Sequence, residues 1–286
     1  MTRVLARWRV FLAGALLALG TGCAQMQGEP PMLAYELYGS GPEKVIVLHD
    51  WLGDRHNYDP ARPYLDTAAF TFAFVDLRGY GDSMDIPGAF NENEAAGDVI
   101  HLANELGWDR FHIIGHSMTG MVVQRVAANA PLRVVSVIAT TPVSAAGMQT
   151  DADTYGFLEG AAKDPEVMAQ AIQALTGKRL SALWADFKVQ RALARSTEAA
   201  RLGYLEMFDK SDFHADVQGL KMPVTVILGQ NDLPFFQPDY IAGTFGKWYA
   251  DLTVVVSPNA GHYPMQETPV FYASVVDAQL KAHPTQ

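Results

Sequence analysis

A single cysteine, Cys23, in 286 residues excludes an intrachain disulfide and any thiolate metal site, so the stability of this chain has to come from its core. Basic residues are scarce as well. Lys and Arg number 21 against 31 Asp and Glu, a net charge of −10, and no basic run interleaves with aromatics, which excludes a nucleic-acid surface. The acidic balance favours solubility and mildly disfavours a strongly anionic substrate. Neither a Gly-x-Gly-x-x-Gly fingerprint nor a Walker-type loop occurs, so no nucleotide cofactor is expected. The eight histidines, at 49, 56, 101, 112, 116, 214, 262 and 283, form no His-x-x-x-His pair on a helix, and no metal is expected. What is abundant is hydrophobic bulk. With 49% hydrophobic and 18% charged residues the chain can bury one large α/β domain with an insertion.

The first 22 residues read as a signal peptide. Arg3, Arg7 and Arg9 form a positive start, and Val10 to Leu19 is a run of ten apolar or small residues, too short to span a bilayer. Leu19-Gly20-Thr21-Gly22-Cys23 resembles the bacterial lipobox, with its Leu one position further from the cysteine than usual. That resemblance implies cleavage before Cys23, lipid modification of it, and an exported, membrane-anchored lipoprotein facing the periplasm or the cell exterior. Simple secretion or release to the periplasm, and a retained anchor, are the alternatives. Residues 23–32, with Glu29-Pro30-Pro31, read as a linker.

From residue 33 the pattern is that of a folded domain. Leu33 to Tyr38 alternates like a half-buried strand, and Lys44 to His49 is a continuous apolar run of the kind buried on both faces. Further strand runs are Phe70 to Val75, Phe111 to Ile114, Val134 to Ala139, Val224 to Leu228 and Leu252 to Val256. Between them, Asn93 to Leu106, Met118 to Ala130 and Thr268 to Leu280 carry apolar residues at helical spacing. Alternating strands and helices predict a mostly parallel central sheet flanked by helices. One stretch, 144–217, contains no strand run. Asp164 to Leu175, Leu180 to Arg195 and Thr197 to Phe208 read as helices, which predicts an inserted helical lid, 144–217, between core segments 33–143 and 218–286. Three helices that simply extend the core would give the same pattern.

Chemistry concentrates where strands end. Ile113-Ile114-Gly115-His116-Ser117-Met118-Thr119-Gly120 passes from a strand run through a Gly-x-Ser turn directly into a helix, the context of a nucleophile elbow. The alternative use of Ser117 is as a helix N-cap. A serine hydroxyl needs a base, and the base needs an orienting acid. Val224 to Asp232 is an apolar strand ending in a polar turn at Asp232, and Asn259-Ala260-Gly261-His262 follows the run Leu252 to Val256. Asp232 and His262 thus stand at the carboxyl ends of strands, where open α/β sheets keep their sites.

With Val47-Leu48-His49-Asp50-Trp51 and Asp76-Leu77-Arg78-Gly79-Tyr80-Gly81-Asp82-Ser83 added to these motifs, the chain resembles the α/β-hydrolase superfamily over roughly residues 33–282. The resemblance implies the α/β-hydrolase fold, Ser117 as nucleophile, His262 as general base, Asp232 as orienting acid, and an oxyanion hole from the backbone N–H groups of Met118 and Trp51. Two positions depart from the family. Thr119 replaces a glycine and is expected to open the elbow or alter its packing, with Gly120 behind it able to preserve close helix approach. Asp50 also replaces a glycine and restricts the backbone unless it tolerates a left-handed conformation. Arg78, His49 and His116 read as structural.

The implied activity is hydrolysis of a carboxylic ester of a small or medium, apolar substrate through an acyl-enzyme, without cofactor. Met148, Tyr155, Phe157, Met168, Leu183, Trp184, Phe187, Tyr204, Met207 and Phe208 of the insertion are its candidate pocket or lid-core residues. Carbon–carbon bond or enol-lactone hydrolysis, a cofactor-free peroxidase or acyltransferase reaction, and a ligand-sensing receptor with little turnover are the alternatives on the same fold. The serine argues against branches that use aspartate as nucleophile.

Overall fold

The structure is a computed structural model that describes residues 31–285. The expected signal peptide, Cys23 and nearly all of the linker lie outside the described residues. Seven strands, β1 (Tyr35–Gly39), β2 (Glu43–Leu48), β3 (Phe70–Val75), β4 (Phe111–His116), β5 (Val134–Thr140), β6 (Val224–Gly229) and β7 (Leu252–Ser257), form one sheet in the order β1-β3-β2-β4-β5-β6-β7. β1 pairs with β3 antiparallel and every other pairing is parallel. Burial explains the sequence pattern. β3, β4, β5 and β6 are buried at every residue, because helices cover both faces, so they read as predominantly apolar runs broken only by a few buried polar residues such as Thr71, His112, Ser136 and Thr225. β1, at one edge, alternates between exposed and half-buried residues, as its sequence does.

Three helices pack on the sheet: α1 (Glu92–Glu105), α2 (Met118–Asn129) and, at the C-terminus, a helix over Pro269–Ala282. Asn91 caps α1, its side chain accepting from the N–H groups of Asn93 and Glu94. Between β5 and β6 lie four helices, α3 (Ala152–Lys163), α4 (Pro165–Leu175), α5 (Ala182–Arg195) and α6 (Glu198–Lys210), and a single turn at His214–Val217. Asp151, Asp164, Ser181 and Thr197 cap the four, and Pro165 opens α4 at a position where a missing N–H goes unnoticed.

Three of these four helices match the sequence expectation within a turn. α3 was not expected. Gly156 and Gly160 weaken its helical propensity, and only Ala161 and Ala162 are buried, so its apolar stripe is faint. Several short helical turns after β6, including Pro238–Gly243 and Phe245–Trp248, are too short for a periodic signal.

Parallel strands place their carboxyl ends on one side of the sheet. His49, Ser117, Asp232 and His262 all follow the ends of their strands there. Gly229, which ends β6, approaches Gly261 so closely that a Cβ would collide with the Gly261 carbonyl. Glycine at 229 therefore lets the loops carrying Asp232 and His262 meet, while glycine at 261 admits the close approach of Leu175 and Thr176.

Candidate active site

A single residue joins β4 to α2. Ser117 sits at φ +55°, ψ −114°, a conformation that costs a non-glycine residue about 1–3 kcal/mol and that the surroundings must hold. Its N–H donates to the Thr140 carbonyl (2.9 Å), and its own carbonyl accepts from the N–H groups of Gly120 (2.8 Å) and Val143 (3.0 Å). The hydroxyl does not cap α2, which removes the N-cap explanation for this serine. A Cβ at Gly115 would collide with the Thr119 carbonyl, so the tight turn requires glycine there.

Thr119 does not open the elbow. Its hydroxyl is fully buried, accepts from the His116 N–H (2.8 Å) and donates to the His49 carbonyl (2.8 Å). The β-branched residue thus joins the elbow to the end of β2. Gly120 packs against Pro142 and keeps the helix close. Asp50 requires no left-handed conformation, since its φ is not positive. Its carboxylate is buried and accepts from the Asn57 side-chain amide.

His262 Nδ1 donates to Asp232 Oδ2 at 2.6 Å, and the other carboxylate oxygen accepts from the Leu233 N–H at 2.7 Å. Burial pushes the Asp232 carboxyl up from its ordinary pKa, and the His262 partner opposes that rise. Backbone contacts fix the histidine on three sides. Its N–H donates to the Leu175 carbonyl (3.0 Å), and its carbonyl accepts from His116 Nε2 (2.7 Å) and the Thr141 hydroxyl (3.1 Å). Burial pulls the His116 pKa down to about 3, so the ring is neutral and works as a brace for the His262 backbone. His49 is also a brace: its Nε2 accepts from the Leu77 N–H and its Nδ1 donates to the Asp50 carbonyl. Arg78 ties its turn to Asp98 (2.5 and 2.7 Å) and Glu94 (3.2 Å).

Met118 opens α2, where N–H groups have no intrahelical partner. Trp51 follows β2 and is held at both ends, its indole Nε1 donating to the Arg201 carbonyl (2.7 Å) and its carbonyl accepting from the Tyr80 hydroxyl (2.8 Å). Trp51, Ser117, Met118 and His262 line one cavity of about 90 Å³, and Asp232 stands behind His262 without lining it. With Nδ1 committed to Asp232, the imidazole has Nε2 left to take a proton. A serine, a base and unpaired N–H donors at one cavity can carry out acyl transfer.

The remaining wall is apolar. Of the insertion residues expected at the pocket, Met148, Phe157 and Phe208 line the cavity. Met168, Tyr204 and Met207 are buried in the core, Tyr155 and Trp184 pack against it, and Leu183 and Phe187 are exposed. Leu158, Ala171, Ala174 and Leu175 line the cavity without having been singled out from the sequence. Positions 171, 174 and 175 do share one face of α4 at helical spacing, and that was the available signal. Among the described residues no cluster of three or more His, Cys, Asp or Glu is arranged to hold a metal ion.

Comparison with known proteins agrees with the fold. A family model described as the alpha/beta hydrolase fold matches residues 44–269. The pimeloyl-[acyl-carrier protein] methyl ester esterase of Nitrosomonas europaea is 28% identical over 258 residues, 85% of this chain and 97% of that protein. A segment of 130 residues, 44% of this chain, is 34% identical to the dihydrolipoyllysine-residue acetyltransferase component of the acetoin cleaving system of Cupriavidus necator, and spans only 32% of that protein's length. Among solved structures, a thermophilic esterase from Thermogutta terrifontis superposes with a TM-score of 0.74 at 24% identity, over 87% of this chain and 93% of that one.

Proposed function

Because the chain belongs to the alpha/beta hydrolase fold family, we propose that it is a serine esterase that cleaves carboxylic esters with small or medium apolar acyl groups. His262 Nε2 takes the Ser117 proton as the hydroxyl attacks the ester carbonyl. The N–H groups of Met118 and Trp51 hold the oxyanion, and the alcohol leaves with the proton from His262; water, giving its proton to His262, then attacks the acyl-enzyme, and the Ser117 oxygen leaves with that proton as the acid is released. Asp232 keeps the imidazole in the tautomer that can accept at Nε2.

The observation that carries this reading is the convergence of a strained Ser117, unbonded as an N-cap, and an Asp232-paired His262 on one cavity. An apolar acyl group follows from the wall. Ser117 and His262 are its only side chains with polar groups to spare, since the Trp51 indole N–H is already committed to Arg201. The esterase activity named for the Nitrosomonas europaea relative supports the reaction class. Segment 144–217 is proposed as the lid, because α3 and α4 supply Phe157, Leu158, Ala171, Ala174 and Leu175 to that wall.

The test is labelling of residues 24–286 with a fluorophosphonate, alongside turnover of p-nitrophenyl esters from acetate to octanoate. Labelling and turnover lost together in Ser117→Ala support the proposal. A folded, unlabelled wild type refutes it. Export and lipid anchoring at Cys23 are also proposed, on the basic start, the apolar run and the cysteine after it. Incorporation of labelled palmitate by the full-length chain, abolished in Cys23→Ser, is the result expected, and no incorporation into the wild type refutes it.

A further inference from the structure

α5 carries one cation into the interior of the protein. Lys188 is 1% exposed, and its ammonium donates to Asn57 Oδ1 at 2.8 Å. The Asn57 amide in turn donates to the carboxylate of Asp50, which is 2% exposed. Asp50 directly precedes Trp51 and follows His49, whose carbonyl receives the Thr119 hydroxyl from the elbow. On its other side the same ammonium stands 4.4 Å above the ring of Tyr263, the neighbour of His262 in sequence. One buried cation of the insertion thus touches both loops that flank Ser117.

Docking α5 does not require this lysine. Arg191 and Arg195 of the same helix already bond Asp54, with contacts of 2.9 to 3.2 Å. An apolar side chain at position 188 would fill the space without taking an ammonium out of water, which is costly unless the charge is used. The charge has a use in Asp50. Burial by itself would raise the Asp50 pKa, yet the attraction of Lys188, the largest of the opposing effects, helps to hold it below the ordinary carboxylate range. Burial pulls Lys188 down, and Asp50 opposes that fall.

We infer that Lys188 is a positioning residue through which the seated insertion completes the oxyanion hole, its ammonium fixing Asn57 and neutralising Asp50 so that the Trp51 N–H is held in place. With α5 unseated, Asp50 would be left as an unpaired buried carboxylate, and its loop would rearrange to reach water. The site is then competent only when the insertion is in place. This inference rests on the proposed esterase reading for its catalytic consequence, while the coupling between Lys188 and the loop stands independently of turnover.

The test compares Lys188→Met, Asp50→Asn and the double variant with the wild type. Readouts are hydrogen exchange of segment 49–58 and kcat and KM for p-nitrophenyl butyrate. Lys188→Met is expected to speed exchange in 49–58 and to lower kcat about 10²-fold, the scale of a 1 Å misplacement, with KM within about twofold. The double variant, in which no charge is left unpaired, is expected to recover exchange and kcat to within about threefold of Asp50→Asn. A general loss of packing would give no such recovery. Wild-type exchange in Lys188→Met, or a double variant whose losses simply add, overturns the inference. If Lys188→Met does not fold, a double variant that folds and matches Asp50→Asn supports the inference, and one that also fails overturns it. A wild type without fluorophosphonate labelling refutes the esterase reading, and the exchange data still decide the coupling.

Discussion

Thr119→Val tests whether the departure from glycine in the elbow is a structural joint. Valine matches threonine in shape, so the change removes a hydroxyl and little else. The Thr119 hydroxyl is fully buried, and its loss strips two main-chain groups of a partner: the His116 N–H at 2.8 Å and the His49 carbonyl at 2.8 Å. A buried polar group left unsatisfied costs about 1–3 kcal/mol, so two such groups predict destabilisation of about 2–6 kcal/mol. Thr119→Ser keeps the hydroxyl and should stay within about 1 kcal/mol of the wild type. Urea unfolding followed by far-ultraviolet circular dichroism measures both, with an unchanged m-value certifying that stability alone has moved. The same variant should lower kcat, because the bond to His49 holds the end of β2 against Ser117. A Thr119→Val protein within about 0.5 kcal/mol of the wild type would refute the reasoning, since a change of that size is ordinary for a surface site away from any special feature.

Two further predictions follow from buried titratable groups. Asp232→Asn frees the imidazole to adopt the wrong tautomer and is expected to lower kcat by about 10⁴-fold with the fold intact, read from p-nitrophenyl ester turnover together with an unchanged melting temperature. Burial depresses the His112 pKa to about 4 from the ordinary histidine value of about 6.5. The unfolded chain therefore takes up a proton on this side chain before the folded chain does, and stability falls as pH drops from 6.5 toward 4, at up to about 1.4 kcal/mol per pH unit. Between pH 6.5 and 4.5 the stability of His112→Asn should be flatter by about that slope. Parallel curves for variant and wild type would show that His112 takes its proton equally in both states.

The parts of this protein that were legible in its sequence are those in which one residue type has one physical use. Runs such as Phe70 to Val75 read as strands because burial on both faces favours apolar side chains and admits a polar one only where it finds a partner, as Thr71 does in the Gly41 carbonyl. Gly115-x-Ser117 and Gly261-His262 were readable because close backbone approach admits only glycine. α3 escaped notice because its contribution is to cover the cavity, with Phe157 and Leu158, and two glycines blur its period. Thr119 and Asp50 were misjudged for a related reason. A departure from a family pattern reads as damage when only the lost glycine is considered, whereas the structure supplies each with a partner far away in sequence: Thr119 with His49, 70 positions before it, and Asp50, through Asn57, with Lys188, 131 positions beyond Asn57. Neither pairing has a local period or motif to reveal it, because the sheet order and the insertion bring the partners together only after the chain has folded. A buried charge in the core beside the Trp51 loop and its counter-charge on the inserted helix are separately unfavourable and jointly tolerable. That interdependence couples the insertion to the site, and removing Lys188 alone should therefore cost more than removing both members.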